Sequence, residues 1–195
     1  MIKHTIAALA LTLSLASSAV QAQETNCDGW LAREWELVKQ FWETATPETV
    51  ADCLNSGSSV SARSRFGIAP VHFASEISEN PDVITVLLEA GADINTRAED
   101  GFTPLHITVR NNENLDVITV LLEAGADVNA RDGVTPLHWA AEYNENPEVI
   151  TVLLDNGSDG TAVDKDGKTP FDLAKENEAL AGTDAYWALN DAQYK

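Results

Sequence analysis

One eleven-residue string occurs twice in this chain without a change: Val83-Ile84-Thr85-Val86-Leu87-Leu88-Glu89-Ala90-Gly91-Ala92-Asp93 recurs as Val117 to Asp127. A shorter copy, Val149 to Leu154, runs on through Asp155-Asn156-Gly157, and a fainter one, Val50-Ala51-Asp52-Cys53-Leu54, ends at Gly57. The glycines at 57, 91, 125 and 157 are spaced by 34, 34 and 32 residues. A second block keeps the same rhythm, with Ala69-Pro70-Val71-His72, Thr103-Pro104-Leu105-His106, Thr135-Pro136-Leu137-His138 and Thr169-Pro170-Phe171-Asp172. Self-similarity at such a period belongs to solenoids, in which each unit buries its apolar face only against its neighbours.

The unit can be read physically. Thr-Pro suits a helix start, because Thr is a favoured cap and Pro a favoured first helical residue. The first helix is short, running for example from Pro104 to about Asn111. Asn80, Asn114 and Asn146 then cap a second helix, which Pro81 and Pro147 open in two of three cases. That helix places Val83, Ile84, Leu87 and Leu88 on one face at helical spacing. Its glycine supplies a left-handed C-terminal residue. A polar link with Asp-Gly or Phe-Gly near its tip leads to the next unit. The predicted order is helix, turn, helix, hairpin-like loop, an all-α chain.

The Thr-Pro-Leu-His tetrapeptides, the run from Leu121 to Ala130 and the period near 33 residues resemble the ankyrin-repeat family, over roughly Cys53 to Lys175. The resemblance implies an all-α ankyrin-repeat solenoid of helix-turn-helix units with short β-hairpin loops, four to five repeats long with divergent caps. The Asn-Glu-Asn-Pro usage between helices is similar to that of exported bacterial ankyrin-repeat proteins. The resemblance also implies that His72, His106 and His138 hydrogen-bond hairpin to helix. Three departures stand out. The inter-helix turn is one residue longer than usual, the loop 129–134 is two residues shorter than its neighbour, and Asp172 replaces the fourth histidine.

The ends differ from the middle. Met1, Lys3 and His4 precede an apolar run from Thr5 to Ala16 and the small-residue stretch Ser17 to Ala22. This is the pattern of a cleavable signal peptide, with cleavage expected after Ala22 and Ala19 as second choice. The run is too short to span a bilayer, which needs ~20 residues. The expected division is 1–22 signal peptide, 23–62 N-terminal cap and degenerate repeat, 63–163 three repeats, and 164–195 C-terminal capping repeat. Trp30, Leu31, Trp35, Val38, Phe41 and Trp42 form a helical stripe over 28–43, and Trp187 lies at the other end. Cap packing is the expected role of these tryptophans, with a ligand-binding aromatic box as the rival.

Cys27 and Cys53 are the only cysteines, and an exported chain favours joining them in a disulfide. A zinc site or catalytic thiol is the rival reading. No histidine precedes His72 once 1–22 is gone, and two thiolates alone make a poor zinc site. Removing 1–22 takes away one lysine and no acid, moving the net charge from −19 to −20. Such a chain repels nucleic acid and anionic membranes and favours a soluble monomer. Localisation is expected to be periplasmic or secreted, with no membrane insertion after cleavage.

No catalytic residue, metal site or cofactor is expected. The three remaining histidines are copies of one slot rather than a singular base with a partner. No Gly-x-Ser-x-Gly, phosphate loop or zinc-ligand helix pair occurs. Asp164-Lys165-Asp166-Gly167 resembles the start of a calcium loop but lacks its later ligands, so it reads as a hairpin tip.

In ankyrin proteins the hairpin tips and the exposed side of each first helix form a concave surface that meets partners. Carried over residue by residue, the tips bring Arg63, Arg65, Phe66, Ile68, Arg97, Phe102, Arg131 and Val134 to that surface, with Lys165 and Lys168 continuing the row. The helices bring Ile77, Arg110, Asn111 and Tyr143. Arg, Phe and Tyr belong to the types enriched at binding hot spots. Arg63, Arg97 and Arg131 form one column, so pairing with acids on adjacent hairpins is the competing account. The expected function is an exported protein-binding module with a protein partner of unknown identity. The alternatives are an accessory or protective factor for an exported enzyme such as a catalase, as the resemblance to bacterial ankyrins suggests, or a host-directed effector.

Overall fold

The computed structural model describes residues 27–194, so the expected signal peptide over 1–22 and Lys195 lie outside the described residues. Among the described residues there are ten helices and no strand. They are α1 (Trp35–Thr44), α2 (Pro47–Asn55), α3 (Pro70–Ile77), α4 (Pro81–Glu89), α5 (Pro104–Asn111), α6 (Leu115–Glu123), α7 (Pro136–Tyr143), α8 (Pro147–Asp155), α9 (Pro170–Ala174) and α10 (Asp184–Ala192). They form five pairs. The first helices α1, α3, α5, α7 and α9 stack in one row, and α2, α4, α6, α8 and α10 in another. None of the described helices is long and apolar enough to cross a membrane.

The second helices follow the predicted chemistry. Asn80, Asn114 and Asn146 each accept, through Oδ1, the backbone N–H two residues on, at 3.0, 2.9 and 3.0 Å. Val83, Ile84 and Leu87, with their counterparts Val117, Ile118, Leu121, Val149, Ile150 and Leu153, are fully buried between the stacked units. Each such side chain contributes about 1.5–3 kcal/mol relative to exposure. Leu88 departs from the expected stripe and is only half-buried. At the helix end Gly91 takes φ 93°, and the Ala92 N–H reaches back to the Leu87 carbonyl at 2.9 Å. A Cβ at such a φ is strained, which is why glycine holds this slot.

The inter-helix turn explains its extra residue. Asn112, Asn144 and Asn177 turn inward and form a ladder along the solenoid. Asn144 Nδ2 donates to the Val109 carbonyl at 2.8 Å and the Asn112 carbonyl at 3.5 Å, while its Oδ1 accepts the Asn146 N–H at 2.8 Å. Asn177 repeats the pattern on the Ala141 and Asn144 carbonyls. Carbonyls that a helix end leaves unpaired are thereby satisfied by the next unit. A second ladder runs along the loops, where Asn95 Nδ2 donates to the Gly125 carbonyl at 3.1 Å and its Oδ1 accepts the Asp127 N–H at 2.8 Å.

Each hairpin-like tip is closed by one or two backbone bonds, such as Ala98 N–H to the Phe102 carbonyl and Gly101 N–H to the Ala98 carbonyl, both at 3.0 Å, too little pairing to make a strand. Asp164 Oδ1 accepts the Asp166 and Lys168 N–H groups at 2.8 and 2.9 Å, and Gly167 has φ 79°, so that segment is the expected turn.

The caps depart from the sequence reading. The stripe over 28–43 is helical only from Trp35, and 27–34 forms turns. Trp30 there turns inward, donating from Nε1 to the Ser59 carbonyl at 3.1 Å and packing 5.2 Å from Trp42. Cys27 is joined to Cys53 with 5.7 Å between Cα atoms. The bond therefore ties the segment before α1 to α2, rather than one helix to the other. Trp35 and Trp187 are not sealed into their caps, keeping 49% and 55% exposure.

Candidate functional site

The repeated histidines set the spacing between units. Thr103 and Thr135 hold the imidazole that follows them, each donating from its N–H and hydroxyl to Nδ1 of His106 and His138, at 2.8 to 3.3 Å. At His72 the Ala69 N–H does so at 3.1 Å. An Nδ1 that accepts must be unprotonated, so Nε2 carries the hydrogen. Nε2 then donates across to the next unit, His72 to the Phe102 carbonyl at 3.2 Å, His106 to Val134 at 3.4 Å and His138 to Lys168 at 3.2 Å. Both ring nitrogens are thus occupied in the neutral form. Burial pushes His72 and His106 down to about 4, and lowers His138 in the same way. In the last unit Asp172 Oδ2 accepts the Thr169 N–H at 3.0 Å, and the hydrogen bond from Lys175 holds its carboxyl down to about 2.

The arginine column bonds to backbone, not to acids. Arg63 Nη1 donates to the Gly67 carbonyl at 3.1 Å, and Arg97 Nη1 to Gly101 at 2.8 Å and Arg131 at 3.4 Å. Arg131 Nη2 donates to the Val163 carbonyl. Among the described residues the ion pairs are Lys39 with Glu43 and Lys175 with Asp172, and neither involves this column. Acid pairing, the competing account, is not what these arginines make: Arg63 closes its own hairpin, Arg131 clips to the next one, and Arg97 does both. Arg65 stands apart, lying 4.6 Å from the centroid of its neighbour Phe66, which is 53% exposed.

The structure brings together a second group. Phe102 does not project from its tip as Phe66 does; its ring packs 4.3 Å from that of Trp139 in the next unit. Trp139 and Tyr143, one turn apart on α7, meet nearly at right angles with centroids 6.3 Å apart. The Arg110 guanidinium lies in their corner, 4.8 Å from each ring. Tyr143 remains 46% exposed. On α5 and α3, Asn111 Nδ2 donates to Glu76 Oε1 at 2.7 Å. Burial raises the Glu76 carboxyl, opposed by that bond and by the charge of Arg110. Ile77 and Asn111 line a shallow groove of about 270 Å³ between the two units. Ile68 and Ile77 are half-buried against the core, and Val134 is half-buried with its carbonyl held by His106.

Trp139 is the residue that sequence reasoning passed over. The signal was present, since it is the one tryptophan outside the caps, in a slot filled by Phe73, Ile107 and Leu173 in the other units.

Comparison with known families adds two findings. A model of ankyrin repeats in three copies matches residues 43–132, and one of ankyrin repeats in many copies matches 121–174. No curated protein matches the chain.

Proposed function

The chain belongs to the ankyrin-repeat family, and from that premise we propose that it is an exported module that binds a protein partner through its hairpin tips and the exposed side of its first helices. Ankyrin repeats make a protein-interaction module; the face and the compartment are our reading. The observation that carries it is the asymmetry of exposed side chains. Phe66, Tyr143 and Arg110 lie on the hairpin and first-helix side. The second helices α4, α6 and α8 expose Asp82, Thr85, Glu89, Asp116, Glu123, Glu148, Thr151 and Asp155, all acidic or threonine. Aromatic and arginine side chains can become hot spots when a partner excludes water from them, whereas scattered acids stay solvated. Export is supported by the pattern over 1–22 and by the Cys27–Cys53 disulfide, which persists in oxidising compartments.

The test uses the disulfide-intact protein from Gln23 onward, immobilised and exposed to the exported fraction of its source cells. A captured partner should be lost with Phe66→Ala or Tyr143→Ala, by about 1–3 kcal/mol each, and kept with Thr85→Ala and Glu89→Ala. The reverse pattern would move binding to the second-helix face and end this reading. Mass analysis of the exported product should find Gln23 as its first residue; an intact N-terminus would remove export from the proposal.

A further inference from the structure

Resting on that reading of the binding face, we propose that the corner formed by Arg110, Trp139 and Tyr143 is a receptor for a side-chain carboxylate, an aspartate or glutamate in an extended segment of the partner, with the next apolar residue seated on Phe102 and Trp139.

Arg110 lacks the acceptors that the hairpin-column arginines have. Among the described residues, Arg63, Arg97 and Arg131 of the hairpin column each donate to a backbone carbonyl. Arg110 has no acceptor within hydrogen-bonding distance and no carboxylate within 4.0 Å among them. Its fork of N–H donors is therefore available, on an exposed side chain. Glu76, the carboxylate that feels the charge of Arg110, is already engaged by Asn111 at 2.7 Å.

Arg110 is also held in place. Two rings at 4.8 Å restrict a long side chain that would otherwise lose much rotamer freedom on binding. A placed guanidinium takes a carboxylate through two parallel N–H···O bonds, a geometry a lysine cannot reproduce. The apolar half of the receptor adjoins it, because Phe102 and Trp139 pack at 4.3 Å with their rings tilted by 59°, and both are only partly covered. The local charge selects the group: on an acidic body of net charge −19, the Arg110 guanidinium is a fixed positive charge with open donors, and a single carboxylate is what complements it.

A display library of random short segments, fused at both ends so that no terminal carboxylate is present, can be selected on the immobilised protein. Enriched sequences are then made as C-terminally amidated peptides and titrated by calorimetry. The expected motif is Asp or Glu next to an aromatic or branched apolar residue. Replacing that acid by its amide should weaken binding to the wild type about tenfold or more, and have little effect on Arg110→Gln. Arg110→Lys should recover little of the loss. Peptides that bind and are lost with Phe66→Ala or Trp35→Ala, yet are indifferent to Arg110→Gln or to the loss of their acid, would overturn the carboxylate receptor and leave the binding face standing. Peptides insensitive to every first-helix and hairpin substitution but lost with Glu89→Ala, or no enrichment of any segment, would overturn both.

Discussion

His72 donates from Nε2 to the carbonyl oxygen of Phe102, thirty residues along the chain, at 3.2 Å, while its Nδ1 accepts the N–H of Ala69. One neutral ring thus closes its own helix start and holds the next unit at a fixed distance. His106 and His138 do the same, and a second proton on any of the three would displace a backbone donor from Nδ1.

Stability should therefore fall with mild acid. His72 and His106 have folded values near 4, below the 6.5 of the unfolded chain, so the unfolded state binds more protons between these limits. The stabilisation is fully present above about 6.5 and is lost as pH falls toward 4. Arg63 and Asp100 face His72, Arg97 and Asp132 face His106, and Asp164 and Arg131 face His138, so opposed charges partly cancel and burial decides the direction. Urea unfolding at pH 5.5 against pH 7 should show a loss of about 1 kcal/mol for each of His72 and His106, with His138 adding in the same direction. A flat profile over this window would contradict the neutral, doubly bonded rings.

The disulfide should hold the N-terminal cap. Cys27 and Cys53 are 26 residues apart, and a loop of that size gives about 3–4 kcal/mol by chain entropy. Reduction, or Cys27→Ser with Cys53→Ala, should release Trp30 from the Ser59 carbonyl and red-shift tryptophan emission before the central repeats unfold. Protein from its native compartment should show no reactive thiol on titration.

Much of the middle of the fold could be read directly. The Pro104 start and Asn111 end, the asparagine caps and the left-handed glycines all come out as expected, because each is a local device repeated with a fixed period. What escaped depends on contacts between units. Asn144 looks like an added turn residue until its amide is seen bridging Val109 and Asn112. Phe102 looks like an exposed tip until Trp139, in a slot held elsewhere by Ile107 or Leu173, gives it a ring to pack against. Residues 28–34 carry an apolar pattern compatible with helix, but burial of Trp30 and the Cys27 bond hold them in turns.

The asparagine ladder makes its own prediction. Asn144 is nearly inaccessible, and Asn144→Ala would strand the Val109 carbonyl and the Asn146 N–H. Leaving buried groups unsatisfied costs about 1–3 kcal/mol apiece, so a loss of about 2–4 kcal/mol in urea unfolding is expected. Asn146→Ala, which removes a cap at the surface, should cost about 1 kcal/mol.

Arg97 and Arg65 are neighbours in the same basic track, but they should respond oppositely to substitution. Arg97 spends its Nη1 on the carbonyls of Gly101 and Arg131, closing one hairpin and clipping it to the next. Arg65 has no such bond and rests on the exposed ring of Phe66. A charge-assisted bond to backbone is worth about 1.5–3 kcal/mol when buried, and less here because the side chain is exposed. Arg97→Gln should accordingly lower stability by about 1 kcal/mol and speed amide exchange at Ala98 and Gly101, with partner affinity changed little. Arg65→Gln should leave unfolding and exchange untouched while slowing association with an acidic partner, more at low salt than at high salt, since a rim charge acts mainly on the encounter. If Arg97→Gln leaves hairpin exchange unaltered and abolishes binding, the column is a recognition element and the backbone clips are incidental to it.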